Sequence, residues 1–230
     1  MKMTNTANKP IDWYMERANC LAEFMSAERQ QVLLRTLDMR TRYMTILTEN
    51  TFHAQNASAL VRHCEAFGLQ DIHTIETLCK FSPNADIARG TEKWIDLHRH
   101  HTTAETIADL KRRGYRIVAT TPHREDTTPE TFDVAAAPFA LVFGTEHAGI
   151  SDEIVAAADE FLRIPMCGMV ESLNVSASAA ILIYILSSRM REQVPGWRLT
   201  EKERAEILYR WSYTTVQDAE AILRRKYPEE

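Results

Sequence analysis

The 230-residue chain is 45% hydrophobic, 26% charged and 8% aromatic, which excludes wholesale disorder and suits one sizeable α/β domain with helical additions. Its four cysteines (Cys20, Cys64, Cys79, Cys167) are scattered and form no C-x-x-C pair, which argues against a disulfide scaffold or zinc ribbon and leads us to expect a cytoplasmic protein. Net charge is −5, but residues 125–160 hold nine acids and no Lys or Arg, so 1–62, 89–116 and 189–227 carry basic excess; such patches suit an RNA backbone or plain solvation equally.

Met1 to Pro10 is polar and lacks the apolar core of a signal peptide. From Ile11 to Arg40, Leu21, Phe24, Met25, Val32, Leu33 and Leu37 recur at helical spacing, predicting one or two helices. Tyr43 to Thr48 reads as a strand, and Asn56 to Phe67 as a helix stopped by Gly68. Ile72 to Ile75 resumes strand character, and the His98-Arg99-His100-His101 cluster that follows reads as a solvated loop. Thr103 to Arg113 is a helix ended by Gly114, Tyr115 to Thr120 a strand, and Phe139 to Phe143 a continuous apolar strand.

Ser151 is a plausible cap for the next helix, Phe161 to Ile164 is another strand, and a helix begins near Ser172. Ser172 to Ser188 has no charge but falls short of the ~20 apolar residues of a membrane span, so a helix buried in protein is expected. Pro195-Gly196 breaks the chain, and Thr200 to Tyr227 reads as one final helix with Thr200 and Glu203 as a capping pair. Alternating strands and helices predict a mostly parallel sheet.

Several chemistries are set aside. There is no G-x-G-x-x-G, Gly144 to Gly149 lacks the Lys-Ser/Thr of a P-loop, and Ser172 sits in no G-x-S-x-G turn. The histidine cluster has no paired acids or cysteines at ligand spacing, so no metal is expected.

Three loop-to-helix junctions remain. In the first, Asn56 and Arg62 lie less than two helical turns apart, and Arg62 sits on an otherwise apolar helix where it needs an anion, a carbonyl or an acid such as Glu65. In the second, a buried strand ends at Gly144 and is followed by the lone carboxylate Glu146. Ligands of α/β sheets bind at the carboxyl ends of strands, and a glycine there admits close approach to the backbone. In the third, Ile164-Pro165-Met166-Cys167-Gly168 leads into Ser172, Asn174, Ser176 and Ser178. Four alternating polar residues cannot all cap one helix, so several should bond a loop, a ligand or a second subunit.

Taken in order, these junctions resemble the three motifs of the SpoU/TrmH branch of the SPOUT methyltransferases, over about Tyr43 to Arg191. Ile164-Pro165-Met166 with Gly168 and Ser172-Leu173-Asn174-Val175-Ser176 carries most of the likeness; Phe143-Gly144-Thr145-Glu146 and Asn56 with Ala59 and Arg62 support it. The resemblance implies an α/β fold with a deep C-terminal trefoil knot, flanked by N- and C-terminal helices, divided as 1–42, 43–194 and 195–230. It implies S-adenosyl-L-methionine as methyl donor, a ribose 2′-hydroxyl of RNA as acceptor, and a homodimer through the knot region, with no membrane and no metal.

By the same resemblance, Thr120, Gly144, Ile164, Met166 and Leu173 would contact the methyl donor, while Asn56, Arg62, Glu146, Ser172 and Asn174 would form the catalytic and ribose set. An arginine is a poor base at neutral pH, so Arg62 is assigned to stabilising the developing 2′-oxyanion. The helical flanks look like those of the tRNA D-loop guanosine methyltransferases, with Arg35, Arg40, Arg42, Arg189 and Arg191 as RNA contacts. The competing readings are a ribosomal RNA 2′-O-methyltransferase and a non-catalytic RNA-binding homologue.

Overall fold

The computed structural model describes residues 8–88, 90–122, 124, 127–145 and 148–228. In chain order the elements are α1 (Ile11–Ala22), α2 (Ala27–Asp38), β1 (Met44–Glu49), α3 (Ala54–Ala66), β2 (Asp71–Ile75), α4 (Ala85–Ala88), β3 (Asp96–His100) and α5 (Thr103–Arg112). There follow β4 (Arg116–Thr120), β5 (Phe139–Phe143), α6 (Asp152–Ala157), β6 (Glu160–Leu162), α7 (Val175–Gln193), α8 (Glu201–Thr215) and α9 (Ala219–Lys226). They form two compact units, Thr41–Trp197 and the pair of segments Met1–Arg40 and Arg198–Glu230.

The first unit is built on a six-stranded sheet in the order β3-β2-β1-β5-β4-β6, with every pairing parallel. Strands covered on both faces read as unbroken apolar runs, and β5, Phe-Ala-Leu-Val-Phe, is buried at every position. On one face Ala57, Leu60 and Val61 of α3 and Leu182, Ile183 and Leu186 of α7 pack against Met44, Ile46 and Leu141. On the other, Ile107 and Leu110 of α5 and Ile154 of α6 cover Leu47, Ile117 and Val142. Thr41 opens this unit and Trp197 closes it, and the Thr41 hydroxyl donates to the Trp197 carbonyl at 2.5 Å.

In the second unit, Tyr14, Ala18 and Leu21 of α1 pack with Ala205 and Tyr209 of α8. The buried Arg17 lies over the rings of Trp13 (3.9 Å) and Tyr227 (4.2 Å). Aromatic faces stabilise a guanidinium that has lost its water.

Three expectations are corrected in detail. The histidine cluster is not a loop: Asp96–His100 is an edge strand paired to β2. Period and propensity are weak there because its side chains are polar and only partly buried. The single C-terminal helix is two, because Asp218 adopts a left-handed conformation (φ 55°) between α8 and α9. The helix expected from Ser172 starts at Val175, after Asn174 as its cap.

The Thr200–Glu203 capping box forms reciprocally as the spacing predicts. Replacing Thr200 with Ala should lower stability by about 1 kcal/mol in urea denaturation.

Candidate active site

At the carboxyl ends of β4, β5 and β6 the loops enclose a cavity of about 560 Å³. Its walls include Thr120 from β4, Phe143 at the end of β5 and Gly144 after it, Ile164 and Met166 after β6, and Leu173 before α7. All five residues expected to hold a methyl donor thus meet in one space. Ser172 and Asn174 of the expected catalytic set line it too.

The second junction is shaped by a glycine that has no substitute. A Cβ on Gly144 would stand 2.1 Å from the Gly149 carbonyl carbon and oxygen, and 2.3 Å from the Ile150 nitrogen. The loop returns this tightly because Thr145 and Gly149 exchange backbone hydrogen bonds, the Thr145 N–H to the Gly149 carbonyl (2.8 Å) and the Gly149 N–H to the Thr145 carbonyl (3.2 Å). Gly149 itself has φ 69°. Glu146 lies outside the described residues.

The third junction fixes the mouth of the cavity. Asn174 caps α7: its side-chain oxygen accepts from the Ser176 N–H (2.8 Å) and the Ser176 hydroxyl (2.6 Å). Its amide nitrogen donates to the Asn56 side-chain oxygen at 3.3 Å, so the first and third junctions meet through two asparagines. Of the polar quartet, Ser172, Asn174 and Ser178 face the cavity and Ser176 bonds Asn174.

Arg62 does not line this cavity. It is exposed on α3 and donates to the Ile87 carbonyl at 3.3 Å.

The expected RNA-binding arginines divide. Arg35 is exposed on α2. Arg40 is 0% exposed, with its guanidinium 5.1 Å from the Trp211 ring centroid. Arg42 pairs with Asp96 (2.6 Å) and Asp71 (3.4 Å). Arg189 donates to the Pro129 carbonyl at 2.6 Å. Arg191 donates to the carbonyls of Phe67 (2.5 Å) and Ser187 (3.0 Å) and lies over Trp197; burial lowers its pKa. In this arrangement Arg191 joins the end of α3 to α7.

Sequence reasoning missed two features of the site. Glu49, buried at the end of β1, accepts from the Ser151 N–H (3.0 Å) and the Thr103 hydroxyl (3.3 Å). Ser151 begins α6 directly after the cavity loop, so Glu49 anchors that loop from below. A carboxylate ending an otherwise buried strand was the available signal, since such a group requires donors. Arg124, on the cavity wall 4.3 Å from the Phe161 ring centroid, sits in a polar loop and carried no signal of its own.

A parallel α/β unit thus carries a cavity at its strand ends, lined by residues of the second and third junctions. The chain belongs to the SpoU rRNA Methylase family, whose pattern it matches over residues 43–184. It is 34% identical over 211 residues to a tRNA (guanosine(18)-2′-O)-methyltransferase of Borreliella burgdorferi, covering 92% of this chain and 96% of that one. The TrmH/SpoU tRNA modifying enzyme of Aquifex aeolicus superposes with a TM-score of 0.72 at 32% identity, over 83% of this chain and 98% of that one. The SpoU methyltransferase AviRb of Streptomyces viridochromogenes, solved with the cofactor AdoMet, shares the fold at a TM-score of 0.58 and 22% identity, over 70% and 62% of the two chains.

If Arg191 acts in packing, Arg191→Ala should cost about 1.5–3 kcal/mol of stability, the range for hydrogen bonds to a charged group. Chemical denaturation reads this directly, and RNA affinity measured well below the melting range should change little.

Proposed function

We propose that this chain transfers a methyl group from S-adenosyl-L-methionine to the ribose 2′-hydroxyl of a D-loop guanosine in tRNA. The observation that carries the reading is the convergence of Thr120, Gly144, Ile164, Met166 and Leu173 on one cavity. Its volume lies within the roughly 300–1,000 Å³ of small-molecule sites, and its mixture of backbone turns and apolar side chains suits an adenosine and a thioether. The tRNA guanosine activity of relatives that match nearly the whole chain supports the substrate.

The methyl donor supplies a carbon activated by a sulfonium, which leaves as a neutral thioether. The protein's task is then to orient the sugar and carry the charge of the oxygen. The 2′ O–H bond breaks, the O–CH₃ bond forms, and the proton passes to solvent. Arg62 stabilises the developing oxyanion, because a guanidinium at neutral pH donates hydrogen bonds but takes no proton. Asn56 and Asn174, already hydrogen-bonded to one another, hold the ribose at the mouth together with Ser172 and Glu146. Arg35, Arg42 and Arg189 contact phosphates and position the RNA without reading its bases.

Arg62 reaches the acceptor from a second copy of the chain. Two observations support this homodimer: Arg62 is exposed and away from the cavity of its own chain, and the loop before α7 exposes apolar side chains. Met169 is 104% exposed, and Val170, Leu173 and Tyr184 are also open. We assign these open apolar side chains to the interface between two copies. The loops after β5 and β6 form the family's trefoil knot within an α/β region spanning 43–194, flanked by extensions 1–42 and 195–230. The enzyme works in the cytoplasm. Among the described residues no helix is long and apolar enough to cross a membrane.

The test is nucleotide-resolution mapping of ribose methylation after incubating the full chain with S-adenosyl-L-methionine and either transcribed tRNA or ribosomal RNA. A single new 2′-O-methylguanosine in the tRNA D-loop is expected. Methyl only in ribosomal RNA, or saturable donor binding without transfer to either RNA, overturns the reading.

Two variants probe the chemistry. Gly144→Ala should abolish donor binding by calorimetry. Arg62→Ala should bind the donor normally and lose at least ~10²-fold in kcat. Mixing the two inactive variants should restore about a quarter of the activity if each site draws on two chains; no recovery after subunit exchange would place Arg62 and its cavity in one chain.

A further inference from the structure

Away from the cavity, the polar edge of the sheet brings together groups that the methyl-transfer reading does not use. Asp71 and His73 lie on one face of β2, both fully buried, and His98 and His100 lie on β3 beside them. One ligating atom from each of Asp71, His73 and His98 falls within 4.8 Å of the other two. The His98 Nε2 and an Asp71 carboxylate oxygen are 3.0 Å apart.

His73 supplies the second observation. Its Nδ1 is hydrogen-bonded to the Nε2 of His100 at 3.0 Å, while its own Nε2 is buried with no hydrogen-bond partner. Buried polar atoms in native proteins have partners as a rule, and neither tautomer solves the problem. If His100 donates, the His73 Nε2–H has no acceptor. If His73 donates, its Nε2 lone pair has no donor. The second arrangement is the one that metal-binding histidines adopt, with the far nitrogen held by a hydrogen bond and the near one presented to the ion.

We propose that Asp71, His73 and His98 form a binding site for a divalent transition ion of the zinc class, with His100 as the hydrogen-bond partner that orients His73. Two imidazoles and one carboxylate are a borderline donor set, which selects zinc and its neighbours over magnesium or calcium. Three protein ligands leave a fourth position for water.

The surrounding charge permits it. The cations facing the cluster are Arg42 and Arg113, both on the Asp71 carboxylate, at 3.4 and 3.9 Å. The anions are Asp71 itself, Asp96 paired with Arg42, and Asp109 paired with Arg113. Three carboxylates against two guanidinium groups leave one net negative charge. Binding requires an adjustment: the rings of His73 and His98 are stacked with an interplanar angle of 15°. The two cannot both aim at one ion from parallel planes. His98, with 38% of its side chain exposed, is free to turn. The ion replaces the proton now shared between His98 and Asp71 and ties the edge strand β3 to β2 through side chains as well as backbone.

The test uses the full chain, stripped with chelator and titrated with Zn²⁺ by calorimetry and with Co²⁺ by visible spectroscopy. One equivalent per chain should bind, the melting temperature should rise by several degrees at saturation, and the Co²⁺ complex should show d–d bands without thiolate charge transfer. His98→Ala should abolish this binding; being partly exposed, it is the variant expected to fold, whatever happens to His73→Ala. His100→Ala should weaken affinity by about 10- to 100-fold, the usual effect of removing an orienting partner.

No saturable stoichiometric binding overturns the proposal, as does unchanged affinity in His98→Ala. A thiolate band removed by Cys79→Ser or Cys167→Ser places the metal elsewhere and overturns it too. None of these outcomes depends on methyl transfer.

Discussion

The site rests on how closely two backbone strands approach at the end of β5. Gly144 and the returning Gly149–Ile150 segment lie so near that the smallest side chain would overlap a carbonyl. That contact turns the loop across the top of the sheet instead of letting it run on, and so opens a cavity bounded by three successive strand ends. Every other member of the site is arranged around this turn. Glu49 braces it through Ser151, and the segment from Ile164 to Leu173 forms the facing wall.

Two helix starts meet beside the cavity. Asn174, at the head of α7, spends its oxygen on the helix and its nitrogen on Asn56 near the head of α3. Both groups a ribose would meet are thereby held before any RNA arrives, which lowers the ordering cost of binding. Arg62, two turns along α3, is left at the surface. Its isolation is what makes a second chain a chemical requirement of the reading and not an ornament of the fold.

Much of this was legible in the sequence, for identifiable reasons. β5 is apolar and buried at every position, so its run announced it, and β1 and β4 carried shorter β-prone stretches. Gly144 and Asn174 stood out because they interrupted otherwise apolar stretches, whereas Leu173 came from the family resemblance alone. What escaped was decided by tertiary contact. β3 carries Asp96, His98, Arg99 and His100 and has no strand signature beyond its pairing with β2. Arg40 and Arg191 read alike in a list of charges, yet one is buried against Trp211 and the other donates to two backbone carbonyls. A sequence shows that a cation is present but not whether packing has already used it.

The hydrogen bond between Thr41 and the Trp197 carbonyl brings the entry and exit of the α/β unit within 2.5 Å of one another. Topologically, that unit is a closed loop of chain fastened at its own neck. One side-chain-to-backbone bond therefore fixes where the chain enters and leaves the sheet, and holds the two ends of the unit together as a clasp.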